Sequence, residues 1–123
     1  MGRYAHFNTG FLYKFAFGIQ NSTDIEQFGG LCVYHDYCTG IMKWSLEDLD
    51  EVNDMLMMLG KKHGCCRPDL SLYEKSLEGT NKLVNDIKYV RDIDDPAYYT
   101  YILGILILHQ LSYKPDLSAE YEN

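Results

Sequence analysis

The segment from Ala97 to Tyr113 constrains the fold of this chain most, because it contains no Asp, Glu, Lys or Arg. Asp95 and Pro96 precede it, and they are a good helix N-cap and a residue favoured at the first helical position. The apolar run of about a dozen residues within it is too short to span a bilayer and suits a buried helix. A helix that is apolar all round must be covered all round.

Two arrangements provide that cover. The helix lies either at the enclosed centre of the monomer or partly in a homodimer interface, and a two-fold dimer is the commonest oligomer. Gly104 removes a side chain at mid-helix, where another backbone could come close. The candidate interface residues are Tyr98, Tyr101, Gly104 and Leu108.

Residues 3–19 have the pattern of a β-hairpin. Asn8-Thr9-Gly10 supplies the turn, with Gly10 at the position that needs a positive φ. Residues 31–37 and 41–44 predict a second, weaker hairpin around Cys38-Thr39-Gly40. In the second arm of the first hairpin, large apolar side chains recur at period two, which predicts one buried face: Phe11, Tyr13, Phe15, Phe17 and Ile19.

Two further helices are predicted between the hairpins and the apolar segment. Ser45 and Asp48 form a capping box that opens the first, and Gly60 can close it. The second is predicted to start at Pro68 and to run to Ile87, with apolar residues spaced by three and four.

Strands followed by helices predict an α+β fold. We expect N-terminal antiparallel β-hairpins, about four strands, packed against three C-terminal helices, of which the last is central and apolar. Residues 1–115 form the single domain in this prediction. Residues 116–123 are expected to be an acidic, flexible tail.

The negative charge of the chain argues against nucleic acids and anionic membranes as partners. The formal net charge is −7, and there is no run of Lys or Arg. Binding to nucleic acid or to an anionic membrane is therefore not expected. Polar residues interrupt the N-terminal apolar residues, so no signal peptide is predicted and we expect a soluble, cytoplasmic protein with reduced cysteines.

Cysteine and histidine cluster in the middle of the sequence. Zinc binds four nitrogen or sulfur ligands, commonly as two close pairs. The spacing here does not match a standard finger, and buried reduced cysteines also act as small apolar residues. The vicinal pair Cys65-Cys66, beside Lys61 and Lys62, is also a candidate for a reactive thiol. The candidate metal ligands are Cys32, His35, Cys38, His63, Cys65 and Cys66.

No catalytic motif for nucleotide, acyl-transfer or metalloprotease chemistry is present in the sequence. We therefore expect a non-catalytic protein-interaction or structural protein that binds a partner protein or itself, without a cofactor. One alternative is a small zinc-binding module that uses the Cys/His cluster at 32–66. A second is a small enzyme or ligand-binding domain with a pocket between the hairpin and the helices, where His6, His35 or Tyr side chains provide the polar groups.

Overall fold

A five-stranded antiparallel sheet and a layer of helices form the fold. The computed structural model describes residues 3–16, 18–63, 67–88 and 95–122. The strands lie in the order β2-β1-β5-β4-β3 and are β1 (Tyr4–Phe7), β2 (Leu12–Lys14), β3 (Leu31–His35), β4 (Thr39–Lys43) and β5 (Ser118–Glu122). The α-helices are α1 (Leu49–His63), α2 (Leu77–Lys88) and α3 (Pro96–Leu111), and short 3-10 helices are η1 (Ser22–Phe28), η2 (Leu46–Asp48) and η3 (Leu70–Leu72). The predicted α+β class is confirmed.

The N-terminal hairpin forms, but its second strand is shorter than the period-two pattern predicts, because β2 ends at Lys14 and Ile19 lies half-buried in a turn. Phe11, Tyr13 and Phe15 are buried, while Leu12 and Lys14 point to solvent. Gly10 closes the turn with a φ of 94°, a conformation that side chains with a Cβ rarely adopt. Phe17, which belongs to the same predicted pattern, lies outside the described residues.

The prediction of a flexible acidic tail is wrong. Residues 118–122 form β5, which pairs with β1 on one side and β4 on the other and is the central strand of the sheet. Ala119 and Tyr121 alternate inward with exposed Glu120 and Glu122. The charged residues that indicated a tail are the solvent-facing half of an ordinary half-buried strand.

A chain that ends after Pro115 is expected to lose cooperative unfolding, because β1 and β4 would each lose one of their two strand partners and the sheet would divide into two hairpins. Thermal melting followed by circular dichroism tests this. Glu120→Gln is the control, since it keeps the strand and changes only an exposed side chain of β5. A truncated chain that melts as sharply as the full chain would contradict the central role of β5.

The two middle helices begin where their caps allow. Ser45 and Asp48 form the predicted capping box at the start of η2, which leads into α1. The second helix does not start at Pro68, because Asp69 caps only the short 3-10 helix η3. α2 begins at Leu77, and the backbone of Glu74 lies so close to Gly79 that a Cβ there would collide with it. The backbone therefore changes direction between Glu74 and Gly79, and a continuous helix from Pro68 would have to run straight through this point.

Helix α3 is the enclosed centre of the monomer. It packs against α1, α2 and η1, and Tyr13 of the sheet reaches the backbone oxygen of Tyr99 on it. Twelve of its sixteen residues are buried. The chain thus covers its apolar helix itself, as the first of the two predicted arrangements requires.

Three of the four candidate interface residues on α3 are enclosed by the chain itself. Tyr98 and Tyr101 expose 6% and 5% of their surface, whereas Leu108 is half-buried. The space beside Gly104 is filled by the Phe28 ring of η1 and by a methyl group of Leu56 from α1. This packing does not favour a homodimer contact through the three enclosed residues, and the contact through Leu108 stays a prediction.

Gly104→Ala is expected to lower the free energy of unfolding by about 1–3 kcal/mol, because the added methyl overpacks a filled site. A Cβ at this position would collide with the Phe28 ring and would lie 2.7 Å from a methyl carbon of Leu56. Denaturant titration measures the change. A more stable variant would show that the helix-forming advantage of alanine outweighs the clash, and that Phe28 does not fix this contact.

Candidate functional site

The outermost strand, β3, exposes all five of its side chains, whereas the other strands bury alternate residues. Leu31 exposes 66% of its surface, Val33 49% and Tyr34 50%. Only one edge of β3 is paired in the sheet, with β4. An open edge presents backbone donors and acceptors to any extended chain, and natural proteins commonly protect it with charged residues, proline or a bulge. β3 has a change of register at Val33, but it contains no Asp, Glu, Lys, Arg or Pro.

A change of register at Val33 determines which way the side chains of β3 point. Cys32 pairs with Met42 and His35 with Gly40, and the register shifts between Cys32 and Tyr34. This bulge places Cys32 and His35 on the same face as buried Met42, whereas a regular strand would place them on opposite faces. Both remain exposed, so the helical layer ends before it reaches β3.

The turn that follows β3 is held by one carboxylate. Asp36 accepts hydrogen bonds from the backbone N–H of Cys38 at 2.7 Å and of Thr39 at 2.8 Å, and from the Tyr34 hydroxyl at 2.5 Å. These bonds, that of Tyr34 first, lower the pKa of the Asp36 carboxyl. Tyr37 stands at the tip with 99% of its surface exposed. The hairpin is thus a defined structure that presents two tyrosines to solvent.

Beneath the edge, Tyr121 fixes the neighbouring strands. Its ring lies so close to Gly40 that a Cβ there would collide with it, and its centroid is 6.5 Å from that of His35. Burial raises the pKa of the Tyr121 phenol, and the Glu26 carboxylate adds to the shift. The phenol stays neutral at physiological pH, so it acts in packing rather than as a base.

The predicted zinc ligands are not brought together within the described residues. Cys32 and Cys38 are exposed free thiols at the two ends of this hairpin. Among the described parts of the chain, no three His, Cys, Asp or Glu side chains are placed to hold a metal ion. Cys65 and Cys66, with the reactive-thiol prediction made for them, and the side chain of His63 lie outside what the structure describes.

A cleft does lie between the hairpin and the helices, as the ligand-binding alternative requires. Its volume is about 350 Å³, and its walls come from the hairpin arm around Tyr13 and from Val84, Asn85 and Tyr99. The Tyr13 hydroxyl donates a hydrogen bond to Gln20, and burial raises its pKa. Neither of the predicted histidines is in the described lining, although His6 pairs across the strands with Leu12, which is part of that lining.

His109 is part of a buried polar network between α2 and α3. Its Nδ1 lies 2.8 Å from the Thr80 hydroxyl, which is also 2.8 Å from the Tyr113 hydroxyl. Thr80 and His109 expose 0% and 1% of their surface. Burial lowers the pKa of His109. The Nδ1 atom of this histidine thus has a hydrogen-bond partner, and the contact joins two helices.

The depressed pKa of His109 predicts a pH-dependent stability. Unfolded chains take up a proton below about pH 6.5, whereas the folded chain keeps the imidazole neutral to a lower pH. Stability present above that pH is therefore lost as the pH falls towards the folded pKa. Denaturant titrations between about pH 7.5 and 5.5 should show a steeper loss for the wild-type chain than for His109→Gln. Equal pH slopes in the two proteins would contradict the assignment.

The sequence does not predict Leu31, Val33, Tyr34 and Tyr37 as an exposed surface. Val33, Tyr34 and Tyr37 favour a strand, and that is all their residue types indicate. One signal was available, because residues 31–35 lack the alternation of apolar and charged residues that marks a half-buried strand. That pattern alone does not separate a strand buried on both faces from one exposed on both.

Comparison of the chain with protein families, with curated proteins and with solved structures finds no match. In the described part of the chain, every helix is too short or too polar to cross a bilayer.

Proposed function

We propose that this chain is a non-catalytic protein-interaction protein that binds its partner by strand addition to the open edge of β3. The observation that carries this proposal is the exposure of all five β3 residues on a strand with no protecting charge. In strand addition, backbone hydrogen bonds supply affinity, and pockets for alternate side chains supply specificity.

Several features of the edge support binding rather than a passive surface. Leu31, Tyr34 and Tyr37 are large and exposed, and tyrosine is favoured at protein interfaces because its ring is apolar and its hydroxyl stays wet. The Asp36 turn and the Tyr121–Gly40 contact hold the strand before a partner arrives. Such preorganisation reduces the entropy lost on binding.

The opposite edge of the sheet provides an internal comparison. β2 spans only three residues, and one of them is Lys14. A short edge strand with a lysine has the protection that discourages pairing. The asymmetry between the two edges favours β3 as the functional one.

The free thiols favour a reducing compartment. Cys32 and Cys38 are exposed and unbridged on the proposed binding surface. Exposed thiols persist where glutathione keeps them reduced, so a cytoplasmic location is part of this proposal.

Charge substitution on the two edges tests the proposal. Val33 on β3 and Leu12 on β2 each expose 49% of their surface, so they form a matched pair. Val33→Lys and Val33→Asp should weaken partner binding at least about tenfold, since either charge must be desolvated in the new strand pair, whereas Leu12→Lys and Leu12→Asp should leave it unchanged.

The measurement is quantitative affinity purification from the cells that produce the chain, with the five baits compared by mass spectrometry and the recovered protein titrated directly. A protein lost with both Val33 variants and retained with both Leu12 variants supports the proposal. Recovery of the same proteins with all five baits would show that β3 is not the binding edge.

A further inference from the structure

The negative charge of this protein is concentrated in the stretch of sequence that contains β3. Residues 21–51 contain seven Asp or Glu residues and one Lys, so they carry six of the seven net negative charges of the whole chain. This stretch includes η1, the β3–β4 hairpin and the start of α1. The seven are Asp24, Glu26, Asp36, Glu47, Asp48, Asp50 and Glu51.

Carboxylates flank both ends of β3. Before the strand, the Glu51 side chain packs directly against Gly29, and Asp48 lines the same surface depression as Leu31. After the strand, Asp36 lies in the exposed turn. The strand itself carries no charge between Leu31 and His35. Lys43, the β4 partner of Leu31, lies in the same depression as Asp48, so the N-terminal end of β3 has two carboxylates and one cation nearby. The result is an uncharged pairing edge with an excess of carboxylates at both ends.

The side of the strand that faces the helical layer has the same sign. Glu26 of η1 is exposed and lies close enough to the buried Tyr121 phenol to act on it electrostatically. Tyr121 in turn contacts Gly40, the β4 partner of His35. Glu26 therefore adds a carboxylate near the inner face of the β3–β4 hairpin, besides those at the two ends of β3.

We propose that the partner is an extended segment in which Lys or Arg residues flank a short apolar stretch. The inference rests on the proposed function, since it assumes that β3 is the binding edge. The apolar stretch pairs with Leu31 to His35, and the flanking cations lie near Glu51 at one end and Asp36 at the other. Opposite charges placed in this way speed encounter and fix the register of the added strand.

A second copy of this chain fits the edge less well. Two-fold pairing of β3 with itself would bring two acidic 21–51 regions against each other, and like charges across an interface oppose association. A basic segment of another protein removes that repulsion and adds attraction. The charge distribution therefore favours a heterologous partner.

The test is selection from a random peptide library displayed on phage, with the full chain as target and Val33→Lys, Val33→Asp and Leu12→Lys as parallel targets. We expect the chain and its Leu12 variant to enrich peptides with Lys or Arg around an apolar core, and both Val33 variants to lose them. Synthetic copies of the enriched peptides are then titrated by fluorescence anisotropy.

A matched pair of double variants isolates the charge effect. The first variant, Glu26→Gln with Glu51→Gln, removes two carboxylates near β3. The second, Glu74→Gln with Glu78→Gln, removes one carboxylate just before α2 and one in its first turn. Both variants therefore have the same net charge. The first should weaken peptide binding about three- to tenfold at low salt, and the second less than about twofold.

Each outcome separates the two proposals. Enriched peptides that are neutral or acidic, or equal effects of the two double variants, would overturn the basic partner while β3 remains the binding edge. Light scattering that shows a dimer, made monomeric by both Val33 variants, would assign the edge to a second copy and also overturn the basic partner. No enrichment beyond that seen with the Val33 variants would overturn both the partner and the proposed function.

Discussion

The enclosure of α3 is the constraint on which the rest of the structure depends. A helix without a single charged residue gives up the favourable free energy of burying apolar surface on any face that stays in water. The chain must therefore cover it on all sides. α1, α2 and η1 provide that cover, and the sheet closes the remaining side. The positions of these elements follow from this one requirement.

Polar side chains on α3 determine how the helix is rotated within its cover. Gln110 accepts a hydrogen bond from Thr9 in the hairpin turn, and Thr100 donates one to Asp24 of η1. His109 meets Thr80 of α2. Apolar contacts alone would tolerate several rotations of so uniform a helix, whereas each buried polar group must find its partner. These hydrogen bonds hold the hairpin turn, η1 and α2 at defined positions along and around α3.

The enclosure of α3 also explains why β3 is open. The helices cover the inner face of β1, β5 and β4, where residues such as Phe7, Tyr121 and Met42 are buried, and they end before the outermost strand. β3 is left with an uncovered inner face and an unpaired edge, and carboxylates lie near its two ends: Asp48 and Glu51 before the strand and Asp36 after it. The proposed binding surface is thus the part of the sheet that the helices do not cover.

The sequence by itself determined the local structure of this protein: the hairpin turn at Gly10, the Ser45 capping box, the Asp95 cap and the burial of α3 each follow from short-range chemistry. It did not determine the place of residues 118–122, because alternation predicts a half-buried strand but not its partners, and here the partners are β1 and β4, far away along the chain. The sequence did not predict the candidate site at β3 for the same reason. Exposure of Val33 and Tyr34 depends on where the helical layer ends, and only the tertiary packing of distant segments decides that.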